Sequence, residues 1–387
     1  MIAMLDILLL ILTLIYACGL LLFFVGLYFP NRWTSVWRPF VSVVVAARNE
    51  EATIAGLLSD LRGQTYPADR FEVIVVDDQS EDKTADVITQ AANSQRNVHL
   101  VRVEEEDDTG LIAKKRAMDL GIRSSLGEII LTTDADCRVL PRWIETMVSY
   151  FTEDVGMVAG FSQSGRKGEP LTTFQRIQSL DFLSLMAAAQ GVLNLGLPLA
   201  ASGQNLAYLR QAFDEVGGFG DIRNRISGDD VLLMQLVRKK TRWSVRFAPA
   251  EESFNTAPPE PSLKSFFRQR IRWASNGPIQ WRLNRMFFCY VVTTFLVNAL
   301  LIISPILHAV SGQSLRIFAA ALAIKIASEG LLLLKGSAVY QRRDLLRDFP
   351  LWTLFQIPYV VIAGLAGSLG LFTWKGRRHN QPEAETS

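Results

Sequence analysis

The chain has 387 residues, and its 40 basic and 38 acidic side chains nearly cancel, leaving a formal net charge of +2. Overall charge therefore argues for no particular partner, and no nucleic acid is expected. Hydrophobic residues make up 49% and mean hydropathy is +0.19, which is high for a soluble protein and low for one wholly in lipid. A mixed protein with soluble and membrane parts is the expectation. Cys18, Cys137 and Cys289, with the scattered His99, His308 and His379, show no Cys/His spacing of a zinc site or a disulfide framework.

The first expected element, residues 1–30, is a retained membrane anchor. Its run 2–29 is apolar with Asp6 as the single charge, and exceeds the roughly 20 helical residues that a bilayer core requires. It has neither the basic leader nor the small-residue cleavage site of a signal peptide. Arg32 and Arg38 follow it, which favours an outside amino terminus and a cytoplasmic continuation.

Residues 40–255 alternate in type. The runs 41–47, 71–78, 97–103 and 127–134 read as strands, and the intervening 48–64, 80–94 and 113–125 as helices. Such alternation predicts an α/β domain with a mainly parallel sheet. The strands are apolar throughout, as expected when helices cover both faces.

Two strands end in acids, Asp77 with Asp78 and Asp134 with Asp136. Carboxyl ends of strands in an open α/β sheet border the ligand crevice. Like charges so close are tolerable where a cation neutralises them. Each pair alone also reads as helix capping, through Ser80 and Lys83 or ahead of a helix near Pro141. Together on one rim they describe a crevice for a nucleoside and a divalent metal.

The stretch 179–200 is apolar for a surface and suits either the bilayer face or the core. In the following 200–219, Gly203 and Asn205 can form a tight turn. Asp229 and Asp230 then open an amphipathic helix, where acids complement the helix dipole. Ser227 and Gly228 already offer a turn and cap, so two further acids exceed what capping needs. Residues 256–285 form an expected interfacial segment carrying QRIRW. Its Gln269, Arg272 and Trp273 share a helix face by their i, i+3, i+4 spacing. Arg272 can form paired hydrogen bonds to phosphate and Trp273 can present a flat surface to a sugar, although a juxtamembrane helix would carry the same residues.

Residues 286–373 hold about three more spans, near 286–310, 316–337 and 350–373. Arg342, Arg343 and Arg347 place the loop before the last span in the cytoplasm. Three spans would put the polar tail 374–387 outside, yet that tail is basic, so the same rule gives it two answers. Lys325 and Glu329, four residues apart within a span, read as a mutually neutralised pair in preference to a functional site.

The ordered set VVVAARNEE, VDDQS, AKKRAMD, DAD, SGDD and QRIRW, over roughly residues 40–285, resembles family 2 glycosyltransferases. This inverting group includes cellulose, hyaluronan and poly-N-acetylglucosamine synthases. The resemblance implies a Rossmann-like GT-A nucleotide-sugar-binding domain accompanied by transmembrane helices. It assigns Asp77 and Asp78 to the uracil and ribose of a UDP-sugar donor. Lys114 falls to the diphosphate, with Lys115 a one-residue rival and Asp119 where the family has asparagine. DAD matches the family's DxD, with Asp136 as the direct ligand of Mg²⁺ or Mn²⁺ and Asp134 as a ribose contact or a residue behind the ligand. Asp230 inherits the catalytic base, beside Asp229 in place of the family's glutamate. Gln269, Arg272 and Trp273 fall to the donor, and Trp273, Gly203 and Asn205 to the acceptor.

The function so implied is transfer of a sugar from a nucleotide donor to a membrane-associated lipid or glycan. The enzyme would be a multi-pass protein of the plasma or inner membrane, with its catalytic domain facing the cytoplasm. A processive polysaccharide synthase is the alternative. A nucleotidyltransferase leaves GDD and QRIRW unexplained. A non-catalytic nucleotide-sugar-binding scaffold would draw its support from Lys325 and Glu329.

Overall fold

The computed structural model describes residues 2–29, 35–104, 110–112, 114–312 and 314–370, with the backbone of 373–374 and 377–378. Arg32 and most of the polar tail lie outside the described residues. In chain order the elements begin with α1 (Ile2–Gly26), β1 (Val41–Ala47), α2 (Ile54–Arg62), β2 (Phe71–Asp77), α3 (Thr84–Ser94), β3 (Val98–Arg102), α4 (Lys114–Arg123) and β4 (Ile129–Thr132). There follow β5 (Arg138–Val139), α5 (Trp143–Ser149), β6 (Val155–Gly160), β7 (Ser162–Ser164), α6 (Thr173–Asn194), β8 (Leu206–Leu209), α7 (Arg210–Glu215) and α8 (Val231–Lys240). The remainder comprises β9 (Ser244–Ala248), β10 (Asn255–Ala257), α9 (Leu263–Ala274), α10 (Gln280–Leu283), α11 (Arg285–Ser311), α12 (Arg316–Val339) and α13 (Phe349–Ser368).

Two compact units result. The α/β unit takes Pro30–Arg166 and Gly196–Pro258, and the helical unit takes Met1–Phe29, Lys167–Leu195 and Pro259–Asn380. The expected boundaries of 40–255 change in one respect. Residues 167–195, which carry α6, leave the α/β unit and pack against α1, α12 and α13.

The sheet of the α/β unit runs β3-β2-β1-β4-β8-β6-β9. β1 pairs in parallel with β2 and β4, as do β2 with β3 and β6 with β9, while β8 lies antiparallel between β4 and β6. Val41, Val43, Val44 and Val45 of β1 are all fully buried, as a central strand covered on both faces requires. Val41 is in register with both Phe71 and Ile129, so β1, β2 and β4 point their carboxyl ends at one rim. β8 runs the other way and enters at Leu206, opposite Thr132, so the segment preceding it starts from that same rim. A small second sheet, β5-β10-β7, adjoins the chain just beyond Asp136.

Among the described residues the helical unit contains four helices long and apolar enough to cross a membrane: α1, α11, α12, and α13 together with its leading 3₁₀ turn. Paired glycines bring α1 and α6 into backbone contact. A Cβ on Gly26 would sit 1.9 Å from the Gly191 carbonyl oxygen, and one on Gly191 would sit 2.1 Å from that of Phe23. Charges inside the unit are matched. Lys325 Nζ donates to Glu329 Oε1 at 2.6 Å and to Gln356 Oε1 at 2.5 Å, and the Tyr16 hydroxyl donates to the same Glu329 oxygen at 2.7 Å. Asp6 Oδ1 lies 2.9 Å from His308 Nε2. Lys325 and Glu329 therefore tie α1, α12 and α13 together as a neutralised pair.

Candidate active site

The loops after β1 and β2 lock together at the rim. The Ser80 hydroxyl accepts from the Asn49 amide at 3.0 Å, and Asn49 Oδ1 accepts from the Glu81 amide at 2.9 Å. Asn49 and Gln79 hold this geometry in the left-handed region, at φ 55° and 59°. Asp77 and Asp78 are both buried here. Asp77 Oδ1 accepts from the Ser80 amide at 3.2 Å, while Asp78 pairs with Arg116 at 2.7 Å and with Arg48 at 3.8 Å. Neither acid caps α3. The Thr84 amide at that helix start donates to Asp82.

Asp134, in the turn after β4, meets Asp229, in the turn before α8, through one lysine. Lys114 Nζ lies 2.6 Å from Asp134 Oδ1 and 3.0 Å from Asp229 Oδ2. Burial works against the charge on Lys114, but the two carboxylates outweigh it and hold the ammonium above its ordinary range. Lys115, the adjacent rival, points elsewhere: it is fully buried and donates to the Arg225 carbonyl. Asp119 lies further along α4, paired with Arg123 at 2.8 Å.

Asp230 is the N-cap of α8, so Ser227 and Gly228 do not fill that post as expected. Its Oδ1 accepts from the Val231 amide at 2.6 Å and its Oδ2 from the Gly203 amide at 2.9 Å. Gly228 makes the approach possible at φ +101°, a conformation that favours glycine. Gly203 is a point of close passage, since a Cβ there would lie 3.3 Å from Asp230 Cβ and Oδ2 and 3.4 Å from Asp229 Oδ2. The neighbouring acids are driven apart. For Asp229, burial raises the pKa but Lys114 prevails and holds the carboxyl below its usual range. Burial, then the charge of Asp229, pushes Asp230 up. A pair split in this way holds one permanent anion and one better base.

Asp136 differs from the other acids of the crevice. Among the described residues no ion pair includes it, and the Cys137 thiol reaches its Oδ1 at 3.8 Å. Burial, followed by Asp134 and Glu50, pushes its carboxyl up to about 7. Burial also pushes the Cys137 thiol up, which keeps it protonated. Among the described residues no group of three or more His, Cys, Asp or Glu side chains is placed to hold a metal. A hard divalent ion is commonly bound by one or two carboxylates and the substrate's phosphates, and a half-buried carboxylate that enters no ion pair among the described residues fits that chemistry.

Asn205 closes the expected turn, its backbone amide donating to the Ser202 carbonyl at 3.1 Å, while its side chain works in the interior. It is fully buried, accepting from Trp143 Nε1 at 3.0 Å and donating to the carbonyls of Phe161 and Ser253 at 2.8 and 2.7 Å. Its side-chain amide is committed to the interior.

QRIRW lies on α9 in the helical unit, and its buried arginine is the inner one. Arg270 is buried and donates to Asp181 Oδ2 through Nε at 3.2 Å and Nη2 at 2.7 Å. Asp181 Oδ1 also accepts from Trp352 Nε1 at 3.0 Å and from the Tyr359 hydroxyl. The Arg270 guanidinium stands over the Trp273 ring at 4.3 Å and gives a 2.6 Å hydrogen bond to Gln269 Oε1. Gln269 donates in turn to Glu260. Arg272 is half-buried, and Arg270 engages two members of the expected face, Gln269 and Trp273.

Residues 42–217 match the family profile described as Glycosyl transferase family 2. The chain carries a family 2 glycosyltransferase domain. The chain is 32% identical over 246 residues to a β-monoglucosyldiacylglycerol synthase of Trichormus variabilis, an alignment covering 62% of this chain and 49% of that one. It is 28% identical over 258 residues to glycosyltransferase AglE of Haloferax volcanii, covering 64% and 76%. The chain thus spans about half the length of the first of these relatives. In fold it is similar to a mannosyltransferase from Pyrobaculum calidifontis solved with GDP-Man and Mn²⁺, with TM-score 0.60 and 21% identity over 96% of this chain and 100% of that one. The fold is GT-A.

The family 2 domain also contains site neighbours that the sequence reading passed over. Arg48 and Arg116 neutralise Asp78, and Glu50 adds to the field at Asp136. Arg48 and Glu50 stand directly after a strand on the acid-bearing rim, which was the available signal. Arg116 offered none beyond its place beside Lys114.

Proposed function

We propose that the protein is a membrane-anchored inverting glycosyltransferase that moves a sugar from a nucleotide donor, a UDP-sugar by its acidic pair, to a membrane-associated acceptor. The observation that carries this reading is the Lys114 bridge, which joins Asp134 to Asp229 and so makes one cluster of the DAD and GDD motifs. Asp77 and Asp78 supply acceptors for base and ribose, and Lys114 supplies positive charge for the diphosphate. Asp230, the more basic of its pair, takes the proton of the acceptor hydroxyl as that oxygen attacks C1. The C1–O bond to the nucleoside diphosphate breaks on the opposite face, inverting the carbon. Asp136, with Asp134 behind it, would hold a Mg²⁺ or Mn²⁺, which when bound supplies Lewis-acid stabilisation to the departing diphosphate. Gly203, whose amide holds Asp230, serves the acceptor side.

The four apolar helices support an integral multi-pass protein of the plasma or inner membrane. Arg38 and the basic loop of Arg342, Arg343 and Arg347 support an α/β unit on the cytoplasmic side. The named activity of the monoglucosyldiacylglycerol synthase relative favours a lipid acceptor over a growing polysaccharide.

The test is purified protein in detergent with metal and labelled nucleotide sugars, followed for release of nucleoside diphosphate. Release should stop in Asp230→Asn while donor binding persists. Undiminished release in that variant would remove Asp230 from the chemistry, and no release with any nucleotide sugar and acceptor would remove the enzyme reading.

A further inference from the structure

We propose that the exposed side of α9, continued through α10 into the first residue of α11, is a docking face for anionic phospholipid headgroups. The proposal rests on the membrane reading above and adds a lipid preference to it.

α9 is divided by charge as well as by burial. Its inner side carries Phe266, Arg270 and Trp273, engaged with Asp181 and the rings around it. Lys264 and Arg268 lie two residues either side of Phe266, about 200° round the helix at 3.6 residues per turn, and both are exposed. Arg282 and Arg285 extend the basic character and are exposed too. Between Glu260 and Glu329 the sequence contains no Asp or Glu. Among the described residues Lys264, Arg268 and Arg285 enter no ion pair.

A second observation concerns Arg285. It is the first residue of a 27-residue helix, where the positive end of the helix dipole disfavours a cation. Such a placement is relieved by an anion at that end. Beside it Trp281 is 52% exposed, with the Arg285 guanidinium 5.2 Å from its ring centre. An exposed tryptophan and cations just ahead of an apolar helix suit the headgroup layer of a bilayer. Topology alone asks for a number of cations in a cytoplasmic loop. It does not ask for Lys264 and Arg268 to be segregated on the side of α9 turned away from Asp181, and a charged lipid surface does.

The experiment uses the full chain, stripped of lipid in detergent and then exposed to equal phosphatidylglycerol and phosphatidylcholine. The lipid that co-purifies is quantified. Wild type should retain phosphatidylglycerol preferentially, and the preference should fall with added salt, since exposed charges are screened over ~10 Å. Each cation near an anionic surface is worth roughly fivefold in partition. The combined variant Lys264→Gln, Arg268→Gln, Arg282→Gln, Arg285→Gln should therefore lose most of the preference, whereas arginine-to-lysine changes should keep it. Equal retention of the two lipids by wild type, or undiminished preference in the glutamine variant, overturns the proposal. If the fourfold variant does not fold, Lys264→Gln with Arg268→Gln, both on the outer side of α9, and the salt dependence of wild type decide instead. Lipid retention needs no catalysis, so failure to release nucleoside diphosphate would sink the enzymatic reading and leave this result standing. A chain that stays in solution without detergent would remove the membrane reading first.

Discussion

Replacing Lys114 with methionine tests the cluster at its centre. The ammonium sits 2.6 Å from Asp134 and 3.0 Å from Asp229, with side-chain exposures of 22%, 32% and 15% for the three groups. Removing one partner of a buried pair costs ~3–5 kcal/mol because the other charge is left uncompensated. Partial exposure relieves some of that, so the expected loss is about 2–3 kcal/mol, or a fall of roughly 4–12 °C in melting temperature for a domain of this size. The loss has a defined pH dependence. Asp229 is held below its ordinary value, so its contribution is present above the unfolded carboxylate value of ~3.9 and disappears as pH falls through the lower folded value. Lys114 is held above its ordinary value, so its contribution is complete below ~10.4 and disappears only as pH rises through the higher folded value. The melting deficit of Lys114→Met should therefore be flat between about pH 5 and 9 and shrink as the medium becomes more acid than pH ~4. Thermal melts of wild type and variant across this range measure it directly. A variant that melts with wild type at neutral pH, or a deficit that survives unchanged in acid, would refute the bridge as the element joining the two acidic motifs.

The raised value of Asp230 predicts that turnover falls as pH drops through that value, because the base must be unprotonated. Asp229→Asn removes one cause of the elevation and should move this acid limb of the kcat profile to lower pH; a limb that stays in place would assign it to another group. Gly203→Ala places a methyl 3.3 Å from Asp230 Oδ2, forcing a shift of a few tenths of an ångström. A fall of about 10–100-fold in kcat is expected with donor affinity little changed, in steady-state kinetics and donor titration respectively. Asp136→Asn should raise the Mn²⁺ concentration needed to restore nucleoside diphosphate release after chelation, more than Asp77→Asn does, and equal metal requirements would remove Asp136 as the ligand.

Much of this was legible because the governing physics is local. A strand buried on both faces is mostly apolar, so β1, β2 and β4 announced themselves despite the buried Ser42–Glu72 hydrogen bond between two of them, and the acids at their ends stood at a rim. The choice between Lys114 and Lys115 was not legible. Adjacent helical residues point about 100° apart, and only the sheet's side of α4 fixes which one meets the crevice. Arg270 was hidden for a similar reason: its partner Asp181 lies 89 residues upstream on another helix. The apolarity of 179–200 was visible, but not that Gly191 and Gly26 lock α6 onto α1, since each glycine alone reads only as a weak helix residue.

The capping of α8 shows why local rules gave a partial answer at the site itself. Ser227 and Gly228 satisfied the sequence signature of a helix start, yet the helix begins three residues later with Asp230 as its cap. That displacement gives two identical neighbours different chemistry. Asp229, ahead of the cap, reaches Lys114 and stays an anion, while Asp230 is held by the Val231 and Gly203 amides and among the described residues enters no ion pair. A cap needs an acceptor and does not need a strong base. Burial beside a permanent anion adds the basicity, so the residue that starts the helix is also the one best able to take a proton.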